Sequence, residues 1–183
     1  MSRWIKPSED RVEWGRLLSS YQSSSFRLEA QQTYSNPIEN AWVEDFVVGR
    51  PLRDLDFSWR LSRSQERMAA GCSKITVRVV VEPQTDYTRM ELATYRIVVA
   101  GGEDIRLIVV PEGSWPEGLP RHDFFLFDER DIWRMHYNAD HTWAGAEHLE
   151  GEDVLAEHLR WRDRALELAI PLLEYAGVAH LPA

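Results

Sequence analysis

The sequence predicts a single α+β domain over residues 1–183, built on an antiparallel sheet of about five to six strands. N-terminal helices and one long C-terminal helix should pack on one face of that sheet. Helical signals gather towards the two ends of the chain, and period-two alternation fills its middle. No run of alternating βαβ units appears, which argues against a doubly wound parallel sheet. A chain of 183 residues is also long enough to bury a core of its own.

The elements follow in order. Ser8-Glu9-Asp10 reads as a helix opening, since Ser8 can cap it and the two acids suit the positive end of its dipole. Val12, Leu17, Leu18 and Tyr21 give it a loose apolar stripe, and the serines at 23–25 stop it. Residues 26–30 alternate as a short strand. Asn36-Pro37 opens a second helix, with Trp42, Val43 and Phe46 inward and Gly49 ending it. Residues 58–70 form a third helix with a thin apolar stripe, stopped by Gly71. Residues 74–82 are a β-branched strand, with Ile75, Val77, Val79 and Val81 on one face and Arg78 on the other. Residues 83–87 read as a turn and 89–95 as another strand, which sets Arg89, Glu91 and Tyr95 on one face. Gly101-Gly102 precede a strand at 105–110, and residues 111–120 are a Gly/Pro-rich loop. Strands at 124–127 and 132–137 flank a turn, and a hairpin at 138–141 leads into a strand at 142–148. Residues 152–176 form the longest helix, with Pro171 as its kink or stop.

Composition excludes several functions. Lys and Arg number 21 against 30 Asp and Glu, for a net charge of −9. A phosphate-tracking surface needs a basic excess, so direct nucleic-acid binding is not expected. Only Lys6 and Lys74 are lysines, and every other basic residue is arginine, the side chain that forks onto carboxylate, phosphate or sulfate. Cys72 is the single cysteine, so no internal disulfide forms, and nothing near it marks a reactive thiol. No apolar run reaches the roughly 20 residues of a membrane span, and residues 1–21 lack a signal-peptide core, so a cytoplasmic protein is expected. His136, His141 and His148 lack the helical spacing of a zinc site, and no Cys pair joins them, so no metal is expected. No glycine-rich nucleotide loop or nucleophile elbow occurs, and no cofactor is expected.

The residues that could carry chemistry form two groups. Arg27 and Glu29 sit two apart on one strand and share a face, and Arg89 and Glu91 repeat that arrangement. Arg106 follows the acidic pair Glu103-Asp104. If these strands are neighbours, Arg27, Arg89 and Arg106 converge on one cleft that holds an anion, with Tyr87, Trp161 and Arg162 beside it. Paired charges of this kind can equally be a structural ion network. His136 with Glu147 on the neighbouring strand is a minimal acid–base pair, and His158 on the last helix could close over it. Glu29, Glu91, His136, Glu147 and His158 are therefore the candidate acids and bases.

Several segments occur together in a recognisable order: Phe26-Arg27-Leu28-Glu29, Asp86-Tyr87-Thr88-Arg89-Met90-Glu91, Gly102-Glu103-Asp104-Ile105-Arg106, Asp123-Phe124-Phe125-Leu126-Phe127-Asp128, Gly145-Ala146-Glu147 and Trp161-Arg162-Asp163. This combination, over nearly the whole chain, resembles an uncharacterised actinobacterial family, one of the domains of unknown function. The resemblance implies a small single-domain protein, often encoded near helix-turn-helix regulators and sometimes near specialised-metabolism genes. It supplies no mechanism. Two functions are thus expected. The first is a regulatory binding or interaction protein that recognises an anionic metabolite, an acidic peptide or a protein partner through an Arg-containing face. The alternative is a cofactor-free enzyme of specialised metabolism. It would hold an anionic group with Arg and use Glu or His as acid and base, for example in ring closure with loss of an anionic leaving group.

Overall fold

The computed structural model describes residues 3–7, 11–53 and 55–177. The helix opening expected at Ser8-Glu9-Asp10 lies outside the described residues. The described elements are β1 (Trp4–Ile5), α1 (Arg11–Ser20), β2 (Ser24–Glu29), α2 (Pro37–Val47), α3 (Ser58–Ala69), β3 (Ser73–Glu82), α4 (Asp86–Ala100), β4 (Asp104–Pro111), β5 (Phe124–Phe127), β6 (Asp131–Tyr137), β7 (Trp143–Leu149), α5 (Glu152–Leu168) and β8 (Ile170–Pro171).

The strands form one mixed sheet of eight, in the order β1-β7-β6-β5-β2-β3-β4-β8. The expected antiparallel sheet of five to six strands is corrected here. β5, β6 and β7 do run antiparallel, but β2, β3 and β4 lie parallel to one another at the centre. Parallel neighbours need a crossover, and α4 supplies the one from β3 to β4. Residues 89–95, expected as a strand, are therefore helix. Thr85 caps α4 by accepting a hydrogen bond from the Thr88 N–H at 3.0 Å. Tyr87, Glu91, Thr94, Tyr95 and Val98 then recur on its buried side at helical spacing.

The helices lie on both faces of the sheet, not one. Ala165, Val154, Leu155 and Leu159 of α5 pack on Phe26, Leu28, Val77, Val79 and Phe124. On the opposite face Trp14 of α1 meets Phe125 and Trp133. There Leu92, Tyr95 and Val98 of α4 meet Val80, Ile105 and Leu107. Central parallel strands are covered on both sides, which is why residues 76–80 of β3 are buried without interruption, Arg78 among them. The C-terminal helix ends at Leu168, eight residues short of the expected end, because Pro171 and its neighbour leave the helix to pair as β8 along β4. At the other edge β1 crosses close to Gly145, whose φ is +153°. A Cβ there would stand 2.9 Å from the Ile5 carbonyl oxygen.

Candidate functional site

Strand parity turns Arg27 and Glu29 away from α5, towards α4. The β2–β3 register sets Arg78 beside Glu29. Helix α4 brings Tyr87, Glu91 and Tyr95 down on them, and with Arg27 and Glu29 these three line one end of a cleft of about 930 Å³, Arg78 standing behind it. Arg27 Nη1 lies 2.6 Å from Glu29 Oε1, and Arg78 Nε lies 2.8 Å from Glu91 Oε2. The Tyr95 hydroxyl donates to Glu29 at 2.5 Å and also approaches Glu91 at 3.3 Å. Tyr87 donates to Glu39 at 3.0 Å. Tyr34 and Tyr137 donate to the buried Asp123 at 2.5 and 2.8 Å. Burial pushes the Glu91 carboxyl up to about 8, Arg78 opposing and the Glu29 charge adding to it. Burial likewise raises the Tyr34, Tyr87 and Tyr95 hydroxyls, so all three remain protonated donors.

Arg27 and Arg60 also border a second, smaller pocket of about 240 Å³. Its other charged lining residues are Arg63 and Arg67 of α3 and Lys74 of β3, and no carboxylate lines it. Glu103 sits behind it, bonded to Arg60 at 2.6 Å and to Lys74 at 2.8 Å. Burial would raise the Glu103 carboxyl, but the Arg60 hydrogen bond and the Arg60 and Lys74 charges outweigh it and hold the group at about 2. Arg67 stacks over Tyr21 at 4.7 Å, and its Nε and Nη2 are buried without hydrogen-bond partners. At the rim Arg63 stacks 4.5 Å over Trp59, which is 66% exposed.

Of the expected ligand set, Arg27 and Tyr87 meet at the cleft, together with Glu29 and Glu91. Arg89 does not. On a helix, positions two apart diverge, so Arg89 is exposed, 3.4 Å from Asp86 and stacked over Phe46. Arg106 shares the α5 face with Ile108 and pairs with Asp104 at 2.7 Å. Trp161 and Arg162 are on α5 as well, Trp161 against Phe124 and Arg162 bonded to Glu129 and Asp163. The expected convergence of Arg27, Arg89 and Arg106 is thus corrected. His136 does lie 3.0 Å from Glu147, and its ring packs on Trp4 at the sheet edge. His158 is buried under α5 against Phe124, with Nδ1 2.8 Å from the Val154 carbonyl oxygen, and burial lowers its pKa. It is on the opposite face of the sheet from the cleft.

Among the described residues no cluster of three or more His, Cys, Asp or Glu side chains could hold a metal ion. No helix among them is long and apolar enough to cross a membrane. A family model for a domain of unknown function (DUF6879) matches residues 12–177. The chain belongs to this family. No curated protein matches it. Among solved structures it is similar to Nuc, a phospholipase D family member from Salmonella typhimurium, with a TM-score of 0.56 and 11% identity, over 93% of this chain and 97% of that one. It is also similar to TrmBL2, an archaeal chromatin protein with a novel mode of DNA binding, with a TM-score of 0.46 and 8% identity, over 92% of this chain and 53% of that one. At such identities the likeness to Nuc speaks to the fold alone.

Sequence reasoning missed Arg60, Arg63 and Arg67, although their spacing of three and four carries a signal. It places all three guanidiniums on one side of α3. Arg78 was legible as the lone charge opposite an apolar stripe, but not as the partner of Glu91. Asp123 stood out in the sequence only as the first residue of the family-like segment 123–128, with no role attached. Its role comes from Tyr34 and Tyr137, 89 and 14 residues away.

Proposed function

We propose that the protein binds the anionic group of a small metabolite in the basic pocket beside α3. One observation carries this reading: five cationic side chains line a concave pocket that no carboxylate lines. Glu29 and Glu103 neutralise two of the five charges from behind. The remaining surplus is local and stands against a net charge of −9 for the chain. Two buried nitrogens of Arg67, Nε and Nη2, still want acceptors, and an oxyanion supplies them. The size suits a carboxylate, sulfate or phosphate group, and a concave site favours a small molecule over an acidic peptide. The cellular role that fits is a cytoplasmic binding protein whose partners respond to that metabolite.

Calorimetric titration with sulfate, phosphate and butyrate tests the reading. Arg67→Lys keeps the charge and loses the fork, and should weaken binding by about 1–3 kcal/mol with little change in thermal stability. Equal binding by Arg67→Lys and the unmodified chain would overturn the assignment.

Glu91 favours a second reading, cofactor-free acid–base catalysis. A buried carboxyl raised to about 8 beside an arginine in an open cleft can donate or accept a proton near neutral pH. Incubation with a metabolite extract of the native cell, followed by mass spectrometry, separates the two. A compound retained unchanged supports binding, and a compound consumed supports catalysis.

A further inference from the structure

The larger cleft shares Arg27 and Arg60 with the anion pocket, and its chemistry is the reverse. Trp42, Phe57 and Trp143 are half-buried along it, and Tyr34, Tyr87 and Tyr95 are buried deeper. The hydroxyls of those tyrosines already donate to Asp123, Glu39 and Glu29. Arg27 and Arg78 already face the Tyr34 ring, so what remains for a ligand is the lone pairs and ring faces of Tyr87 and Tyr95, which attract cations. The charges lean the same way. Glu29, Glu39 and Glu91 line the cleft against two guanidiniums, Arg27 and Arg60, and each guanidinium already has a carboxylate beside it, Glu29 for Arg27 and Glu103 for Arg60.

An independent feature points to a ligand. Glu91 lines the cleft and is 6% exposed, yet its Oε2 has no hydrogen-bond partner. Arg78 Nε is 2.8 Å away but out of line for a hydrogen bond. A buried carboxyl oxygen left without a hydrogen bond costs free energy until a donor reaches it.

We propose that this cleft takes the ammonium end of the same ligand whose anionic end lies in the Arg63–Arg67 pocket. The ligand class is then a zwitterion with its charges held apart by a spacer, of the ω-amino-acid type. The inference rests on the anion site proposed above and adds the other half of the ligand. Ammonium N–H groups donate to Glu91 Oε2, and the ring faces surround the rest of the cation. Arg27, between the two compartments, keeps the two ligand charges from exchanging places.

Binding is coupled to a proton. Glu91 is faced by Arg78 from β3, by Arg27 and Glu29 from β2, by Glu39 from α2, and by Tyr87 and Tyr95 on its own helix. Burial and the two neighbouring carboxylates keep it protonated near neutrality. An arriving ammonium takes over the role of that proton, so the proton leaves to solvent as the ligand binds.

The test is calorimetry on the full chain at pH 7 in buffers of different ionisation enthalpy. The probes are butyrate, n-butylammonium, and the ω-amino acids from glycine to 8-aminooctanoate. Affinity should peak at one chain length, about tenfold or more tighter than the better of the two half-ligands, with proton release at that peak. Glu91→Gln should abolish the proton release and the gain from the amine while leaving butyrate binding in place. Glu39→Gln, which leaves the Arg78–Glu91 pair intact, should reduce the gain. Butyrate that binds as tightly as every ω-amino acid, and is still weakened by Arg67→Lys, would overturn the ammonium cleft and leave the anion pocket standing. Butylammonium binding with no added gain in any zwitterion would overturn the linkage of the two sites. No binding of butyrate, sulfate or phosphate at all would overturn both.

Discussion

Arg78→Met separates a structural charge network from hydrogen bonding by neutral groups. Arg78 is 0% exposed. Its guanidinium stands beside Glu91 and donates to the Gln31 carbonyl and, at 3.2 Å, to the Tyr34 hydroxyl. Methionine preserves most of the stem's packing on Tyr34 but leaves Glu91 and Glu29 without that cation. Breaking a buried pair from one side costs about 3–5 kcal/mol. For a chain of this length that lowers the melting midpoint by about 6–20 °C. Glu91 softens the loss, because its carboxyl already sits at about 8 and rises further once Arg78 is gone. The cost should therefore lie at the lower end of the range at pH 6, where Glu91 is neutral, and at the upper end at pH 9. Arg78→Met with Glu91→Leu strands one charge fewer and should recover about half of the loss. Urea unfolding followed by circular dichroism at both pH values reads all three proteins. The same loss at pH 6 and 9, with no recovery in the double variant, would refute this reasoning and assign the effect to the Gln31 and Tyr34 hydrogen bonds.

The pH profile of stability should show two opposed limbs. Glu91, with its folded value raised from 4.5 to about 8, contributes stability that is full below 4.5 and lost as pH rises through 8. Glu103, lowered from 4.5 to about 2, contributes stability that is present above 4.5 and lost as pH falls through 2. Glu91→Gln should flatten the alkaline limb and Glu103→Gln the acid one. Urea midpoints from pH 2 to 9 check this, and a limb that survives its own substitution contradicts the assignment. Gly145→Ala should dislodge β1 at a cost of about 1–3 kcal/mol, since a Cβ would strike the Ile5 carbonyl in a backbone region that alanine avoids. The His148 amide, bonded to the Arg3 carbonyl at 2.8 Å, should then exchange its hydrogen faster. Unchanged protection there would show that Gly145 does not seat the edge strand.

Local patterns made much of the sheet legible. The β-branched run of β3, the paired strands β5 and β6, and the hairpin into β7 all follow from period-two alternation and turn residues. The parity of Arg27 and Glu29 was readable for the same reason, because β2 is a strand. α4 was not, although Thr85 as a cap and the spacing of Tyr87, Glu91, Tyr95 and Val98 were present. A few alternating residues inside it fit both periods. What decides between them is the need to connect two parallel neighbours, and strand adjacency is not written in any short segment. One wrong period then moved a candidate residue. Read as a strand, the segment joins Arg89 to Glu91; wound as a helix, it sends Arg89 to solvent and turns Glu91 onto Arg78. Arg106 failed differently. Its element was right, but its face is the one that α5 covers.

The net charge says nothing about where charge gathers. A total of −9 describes the whole surface, whereas ionic strength in the cell confines each group's field to about 8 Å. Within that radius the fold sorts charge by source. Helix α3 brings three arginines on one side, β3 adds Lys74, and β2 adds Arg27, and these make a basic compartment in an acidic protein. Helices α2 and α4 bring Glu39, Glu91 and two tyrosines to the other side of the same arginine. Neither compartment exists in any one segment, and each would be costly alone, since like charges held together repel. Arg27 reduces both costs at once, because its guanidinium pairs with Glu29 on the acidic side and remains part of the basic wall. A substitution at Arg27 should therefore disturb both compartments together. One at Arg67 or at Glu39 should disturb only its own, which is the pattern expected of two subsites joined by a shared wall.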